Sequence, residues 1–162
     1  MVKKILLGLT AILISSGAIA DELWQKLNTG AAMSVVLQQY PNAVVDSAYN
    51  ANKIYDSRVT LSNYELFEKN FKVNFLFKDE GLSNVNLSFK GDKTENDALF
   101  KKVALGLKSK YGEPLEVNNR DALGIKKIVW TDSDKTITML SIGQGDTTVS
   151  YDSKLTKEIN KL

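Results

Sequence analysis

The stretch Phe71–Lys90, FKVNFLFKDEGLSNVNLSFK, decides the fold. Phe71, Val73, Phe75 and Phe77 alternate with Lys72, Asn74, Leu76 and Lys78. After Asp79-Glu80-Gly81 the alternation resumes, with Val85, Leu87 and Phe89 set against Asn84, Asn86, Ser88 and Lys90. Period-two alternation on both sides of a glycine-containing turn predicts a β-hairpin. One face of it is aromatic and aliphatic and the other mostly polar, so a sheet built on it has one face that must be covered.

Downstream lies the clearest helix, within Gly91–Tyr111. Thr94 is its expected N-cap, and Glu95 and Asp97 occupy the first turn, where the helix dipole favours acids. Phe100, Val103, Leu107 and Tyr111 form its apolar stripe, and Gly112 and Pro114 end it. Upstream, Met33, Val36, Leu37 and Tyr40 repeat at helical spacing until Pro41. Asp21–Leu27 reads as a further short helix, with Trp24 and Leu27 three apart. Arg58–Leu66, Ile125–Thr131, Thr136–Ile142 and Thr147–Tyr151 read as strands. In Thr136–Ile142 the apolar phase moves from Ile137 and Met139 to Leu140 and Ile142, and a bulge is one account of such a shift. The expected fold is therefore α+β in two layers: one antiparallel sheet of about six strands covered on one face by helices, with the order αβββ occurring twice.

The first twenty residues carry Lys3 and Lys4, the apolar run Ile5–Ile14 and the small-x-small site Ala18-Ile19-Ala20. That is the pattern of a secretory signal peptide, cleaved to leave a chain starting at Asp21. The remaining 142 residues suit one domain. There is no cysteine, hence no disulfide and no lipid anchor at the cleavage site. The expected compartment is a Gram-negative periplasm, with the chain soluble there. The full sequence has 21 basic and 19 acidic residues, and removing Lys3 and Lys4 balances them. A neutral domain lacks the basic excess that nucleic-acid binding requires.

The composition also narrows the chemistry. With no histidine and no cysteine there is no Ser-His-Asp triad, no thiol nucleophile and no His-bearing zinc site. Asp79-Glu80 and Asp132/Asp134 fall at expected turns, where acids serve turn formation. No enzyme activity and no cofactor is expected. The candidate contact residues are instead those outside the expected core. Tyr49, Tyr55 and Tyr64 lie in a poorly patterned segment and are of a type enriched at interfaces. Leu76 sits on the polar face of the central strand, where Ile125 and Val129 extend an apolar strip. Lys101, Lys102, Lys108 and Lys110 lie off the helix stripe, as a basic patch for an acidic partner or anionic lipid headgroups, or as a solvated face.

Five pieces together, GAAMSVVLQQYPNA, FKVNFLF, DEGLSNVNLSF, LFKKVALGLKSKYGEP and VWTDSDKTITM, resemble small bacterial envelope proteins. These are the outer-membrane-assembly lipoproteins of the BamE/SmpA kind and the β-lactamase-inhibitor-protein-like fold, a tandem repeat of helices and meander strands. BamE-like proteins are lipidated through a cysteine after the signal, and this chain has none. The resemblance implies a protein whose partner is another protein. Two roles are open, an envelope accessory factor and an inhibitor or immunity protein against an enzyme or toxin. A small-ligand binder or hydrolase is the third class.

Overall fold

A computed structural model describes residues 22–50, 54–143 and 145–154. The expected signal segment, the new terminus at Asp21 and the tail from Leu155 lie outside the described residues.

The decisive hairpin forms from β5 (Lys69–Lys78) and β6 (Gly81–Lys90). Asp79 and Glu80 have φ of 49° and 65°, the doubly left-handed two-residue turn whose twist suits antiparallel strands. Gly81 serves a different need, since a Cβ there would lie 3.0 Å from the Cα of Gly30. The close approach lets Leu82 exchange backbone hydrogen bonds with Gly30 and Ala31.

Around this hairpin the chain builds an eight-stranded antiparallel sheet. Before it come β1 (Glu22–Trp24), β2 (Leu27–Asn28), α1 (Met33–Gln39), β3 (Val44–Val45) and β4 (Ser57–Leu66). After it come α2 (Lys93–Tyr111), β7 (Glu116–Arg120), a 3-10 turn at Asp121–Leu123, β8 (Ile125–Asp132), β9 (Lys135–Ile142) and β10 (Asp146–Ser153). The strand order is β3-β4-β5-β6-β10-β9-β8-β7. Each half is thus a helix followed by a four-strand meander, and the final strands β6 and β10 pair at the centre.

This corrects the α+β expectation. Among the described residues the structure is mostly β, with 52% strand and 23% helix, and the sheet has eight strands where about six were expected. It is not a sheet simply covered by a helical layer. The expected helix at Asp21–Leu27 is the β1–β2 hairpin. Trp24 and Leu27 are neighbours because they face each other across the Gln25-Lys26 turn, which mimics a helical spacing of three. The segment EVNNR has one apolar residue and joins the sheet as β7 through its backbone, so its side-chain pattern did not announce it.

The core lies on one face of the sheet. Val59, Leu61, Phe71, Val73, Phe75, Val85, Leu87, Met139, Ile137 and Trp130 point into it from the strands. The β1–β2 hairpin and α1 cover one part. Trp24 lies 5.9 Å from Tyr40 and 5.8 Å from Phe75, ring centre to ring centre. Helix α2 covers the rest with Leu99, Phe100, Val103 and Leu107. Its N-cap is Asp92, two residues before the expected Thr94. The Asp92 carboxylate accepts from the Glu95 amide at 2.9 Å, and the Glu95 side chain accepts from the Asp92 amide at 3.4 Å. This reciprocal capping box satisfies two otherwise unpaired donors.

The bulge considered for Thr136–Ile142 is absent, for β9 pairs in continuous register with both β8 and β10. The apparent phase shift has another cause: Leu140 and Ile142 are apolar residues on the face opposite Ile137 and Met139.

Candidate functional site: the open sheet face

Alternation along the strands leaves a second face, away from α1 and α2, that no further layer covers among the described residues. Its residues form rows that run across the strands in register. The middle row is Thr60, Asn74, Asn86, Ser150, Thr138 and Val129. One row over stand Lys72, Ser88, Thr148, Leu140 and Lys127. On the other side are Arg58, Leu76, Asn84, Asp152, Thr136 and Thr131. The centre is therefore paved with short hydroxyl and amide side chains, and Thr60 Oγ1 donates to Asn74 Oδ1 at 3.0 Å.

A groove of about 670 Å³ opens on this face. Lys72, Ser88, Thr148 and Leu140 cross its floor, and Lys90, Asp146 and Ile142 stand at one end. It offers two ammonium groups, hydroxyls and an aliphatic strip, with Ile142 half exposed at 52%.

The row through Asn84 is more tightly knit. Asn84 is buried, and its Nδ2 donates to Ser150 Oγ at 2.7 Å and to Asp152 Oδ1 at 2.5 Å. The Asp152 carboxylate can only accept, which fixes which way the amide points. Asn84 Oδ1 is left without a hydrogen-bond partner among the described residues. The Tyr55 hydroxyl donates to Asp152 Oδ1 at 3.3 Å. Burial first, and then the Asp152 charge, push the Tyr55 phenol well above its usual range, so it remains a neutral donor.

At the corner formed by β3 and β4, Arg58 Nε donates to Asp46 Oδ2 at 2.9 Å, and the guanidinium lies 4.8 Å over the Tyr49 ring. The hydrogen bond from Arg58 is the main reason that the Asp46 carboxyl is held below its usual range.

The candidate contact residues do not form one surface. Tyr49, Tyr55 and Leu76 belong to the open face or its corner. Tyr64 packs edge-on against Trp24 with centroids 5.3 Å apart, and its phenol is raised by burial, so it belongs with the core. Lys101, Lys102 and Lys108 lie on α2, across the sheet from the open face, and Lys108 is paired with Glu113 at 2.7 Å. Of the apolar strip expected with Leu76, Val129 is buried and Ile125 pairs with Ile142. The residues that dominate the face, Asn74, Asn86, Ser150, Thr138 and Leu140, were missed as candidates. Their signal was present in the polar positions of the alternating strands, which are usually solvent-facing filler.

Among the described residues no three His, Cys, Asp or Glu converge on a position that would hold a metal ion. Among them, too, no helix is long and apolar enough to cross a membrane. Comparison with protein-family models, with curated proteins and with solved structures gives no match.

Proposed function

We propose that this chain is a soluble periplasmic protein-binding module without catalysis of its own, an envelope accessory factor that takes its partner on the open face of the sheet. The observation that carries this reading is the central row Thr60, Asn74, Asn86, Ser150 and Thr138, rigidly held by strands on both sides. Short side chains lose little rotamer freedom when a partner fixes them, and hydroxyls and amides adapt to either a donor or an acceptor. Tyr49 at the corner, with Leu140 and Ile142 in the groove, adds the larger contacts that supply affinity. Localisation rests on the signal-like N-terminus, and the protein partner rests on the resemblance to envelope proteins.

A second reading, an inhibitor or immunity protein, is favoured by Lys72 and Lys90 in the groove, which suit an acidic patch on one target.

The test expresses the full chain in a Gram-negative periplasm with a C-terminal tag. N-terminal sequencing of the recovered protein reads the cleavage. Capture is compared for the wild type, for Asn86→Arg and Thr138→Arg on the open face, and for Lys102→Glu on α2. The proposal expects one partner retained by the wild type and by Lys102→Glu and lost from both open-face variants. Assembly factors among the retained proteins support the accessory role, and a single secreted enzyme or toxin supports the inhibitor role. Capture that ignores the open-face substitutions overturns the assignment of the face.

A further inference from the structure

Among the described residues, strand β7 ends the sheet on one side, and its outer edge is not blunted. It carries no proline and no bulge within Glu116–Arg120. The opposite edge, β3, is only two residues long. Leu115, Val117, Leu123 and Leu105 surround the β7 edge at 72%, 58%, 63% and 69% exposure. Val117 and Leu105 share an apolar groove with Ile128 and Trp130. An edge of this kind is a template for a further strand.

The backbone parity says which groups are free to accept one. The Val129 carbonyl accepts from the Leu115 amide, so Val129 points its polar groups toward β7. Alternation along β8 then aims Lys127 and Ile125 the same way. Their partners Asn118 and Arg120, with Glu116 opposite Val129, turn their backbone groups inward. Val117 and Asn119 are left with N–H and C=O facing outward.

We infer that β7 pairs antiparallel with β7 of a second copy, across a two-fold axis at Asn118, extending the sheet to sixteen strands. This register sets Val117 opposite the partner copy's Asn119 and makes a hydrogen-bonded pair of each. It also sets Glu116 opposite the other copy's Arg120, twice, on the open-face side. The short strand EVNNR is thus charge-complementary to itself only when reversed about its own centre. A slip of one residue would bring inward-facing backbone groups to the joint and lose both charge pairs. On the helix side the two Val117 side chains become diagonal neighbours, beside the apolar groove.

Sedimentation of the chain from about 1 µM to 1 mM reads the equilibrium in the range expected of a small interface. The wild type forms a dimer within this range. Val117→Pro removes an outward N–H and no bond to β8, and it weakens the dimer at least tenfold with an unchanged thermal melt. Glu116→Arg and Arg120→Glu each place like charges across the axis, and each is monomeric alone. An equimolar mixture of those two variants restores both pairs and forms a heterodimer. A wild type that is monomeric throughout, or a dimer that Val117→Pro and Arg120→Glu leave intact, overturns the proposal. So does a mixture that stays monomeric. If Val117→Pro unfolds β7, the charge variants and their mixture decide.

Discussion

The indole Nε1 of Trp130 donates to the carbonyl oxygen of Gly112 at 3.1 Å. This bond ties β8 to the point where α2 ends. Gly112 has φ of 80°, and its own amide donates to the Lys108 carbonyl, so the last turn of α2 closes on a left-handed residue. Trp130 is 1% exposed, and its ring fills the space under that turn. Trp130→Phe keeps an aromatic ring but strands a carbonyl and leaves a gap. We expect a loss of about 2 kcal/mol in urea unfolding, with the sheet retained.

The start of α2 gives a second prediction. Asp92→Ala removes the acceptor for the Glu95 amide and should cost about 1 kcal/mol. Thr94→Ala, at the residue expected to cap the helix, should stay within about 0.5 kcal/mol. Equal losses in the two variants, by chemical denaturation, would contradict the assigned cap.

Helix α2 is also pinned to the centre of the sheet by a buried pair. Thr147 Oγ1 donates to Asn96 Oδ1 at 3.0 Å, and Asn96 Nδ2 donates to the Asp92 carbonyl at 2.9 Å. Thr147→Val preserves shape and leaves the buried Asn96 oxygen unpaired, at a cost of roughly 1–3 kcal/mol. The double variant with Asn96→Ala should be less destabilised than the sum of the two single losses, because the shared bond is lost only once.

Stability should fall at both ends of the pH scale, for opposite reasons. Burial, then the charges of Tyr111 and Tyr64, raise the Tyr151 phenol, and Tyr55 is raised in the same sense. The folded chain therefore keeps protons that the unfolded chain releases. Their contribution is complete below the ordinary tyrosine value of 10.0 and is lost as pH climbs above it. Asp46, Asp56 and Asp97 are lowered, chiefly by hydrogen bonds from Arg58, from the Asp79 amide and from Lys126 respectively. Their contribution is complete above the ordinary carboxyl value of 3.8 and fades as pH falls through their lower folded values. Thermal melts across pH should show both limbs, and Tyr151→Phe should flatten only the alkaline one.

The central hairpin and the α1 stripe were legible because their apolar residues repeat at one clear period and have a single face to bury. The β1–β2 hairpin was not, since a two-residue turn brings Trp24 and Leu27 together just as one helical turn would. Strand β7 was silent because an exposed edge strand is held by backbone bonds, which any residue but proline supplies. The phase change at Leu140, for which a bulge is one account, does not interrupt the register of β9. It marks an apolar residue placed on the open face, beside Lys72, Ser88 and Thr148 in the groove. The candidate site was hidden for a related reason. Asn74, Asn86, Ser150 and Thr138 are ordinary polar residues singly, and only the pairing of β4, β5, β6, β10 and β9 sets them in one row.

The most direct test of the open-face account is site-specific photo-crosslinking in the periplasm. A photoreactive residue is placed at Asn86, in the middle of that row, and in a second chain at Lys102 on the outer side of α2. The account predicts an adduct of one defined mass with a different protein from position 86 and none from position 102. Adducts from position 102 alone, or from neither position, would contradict it.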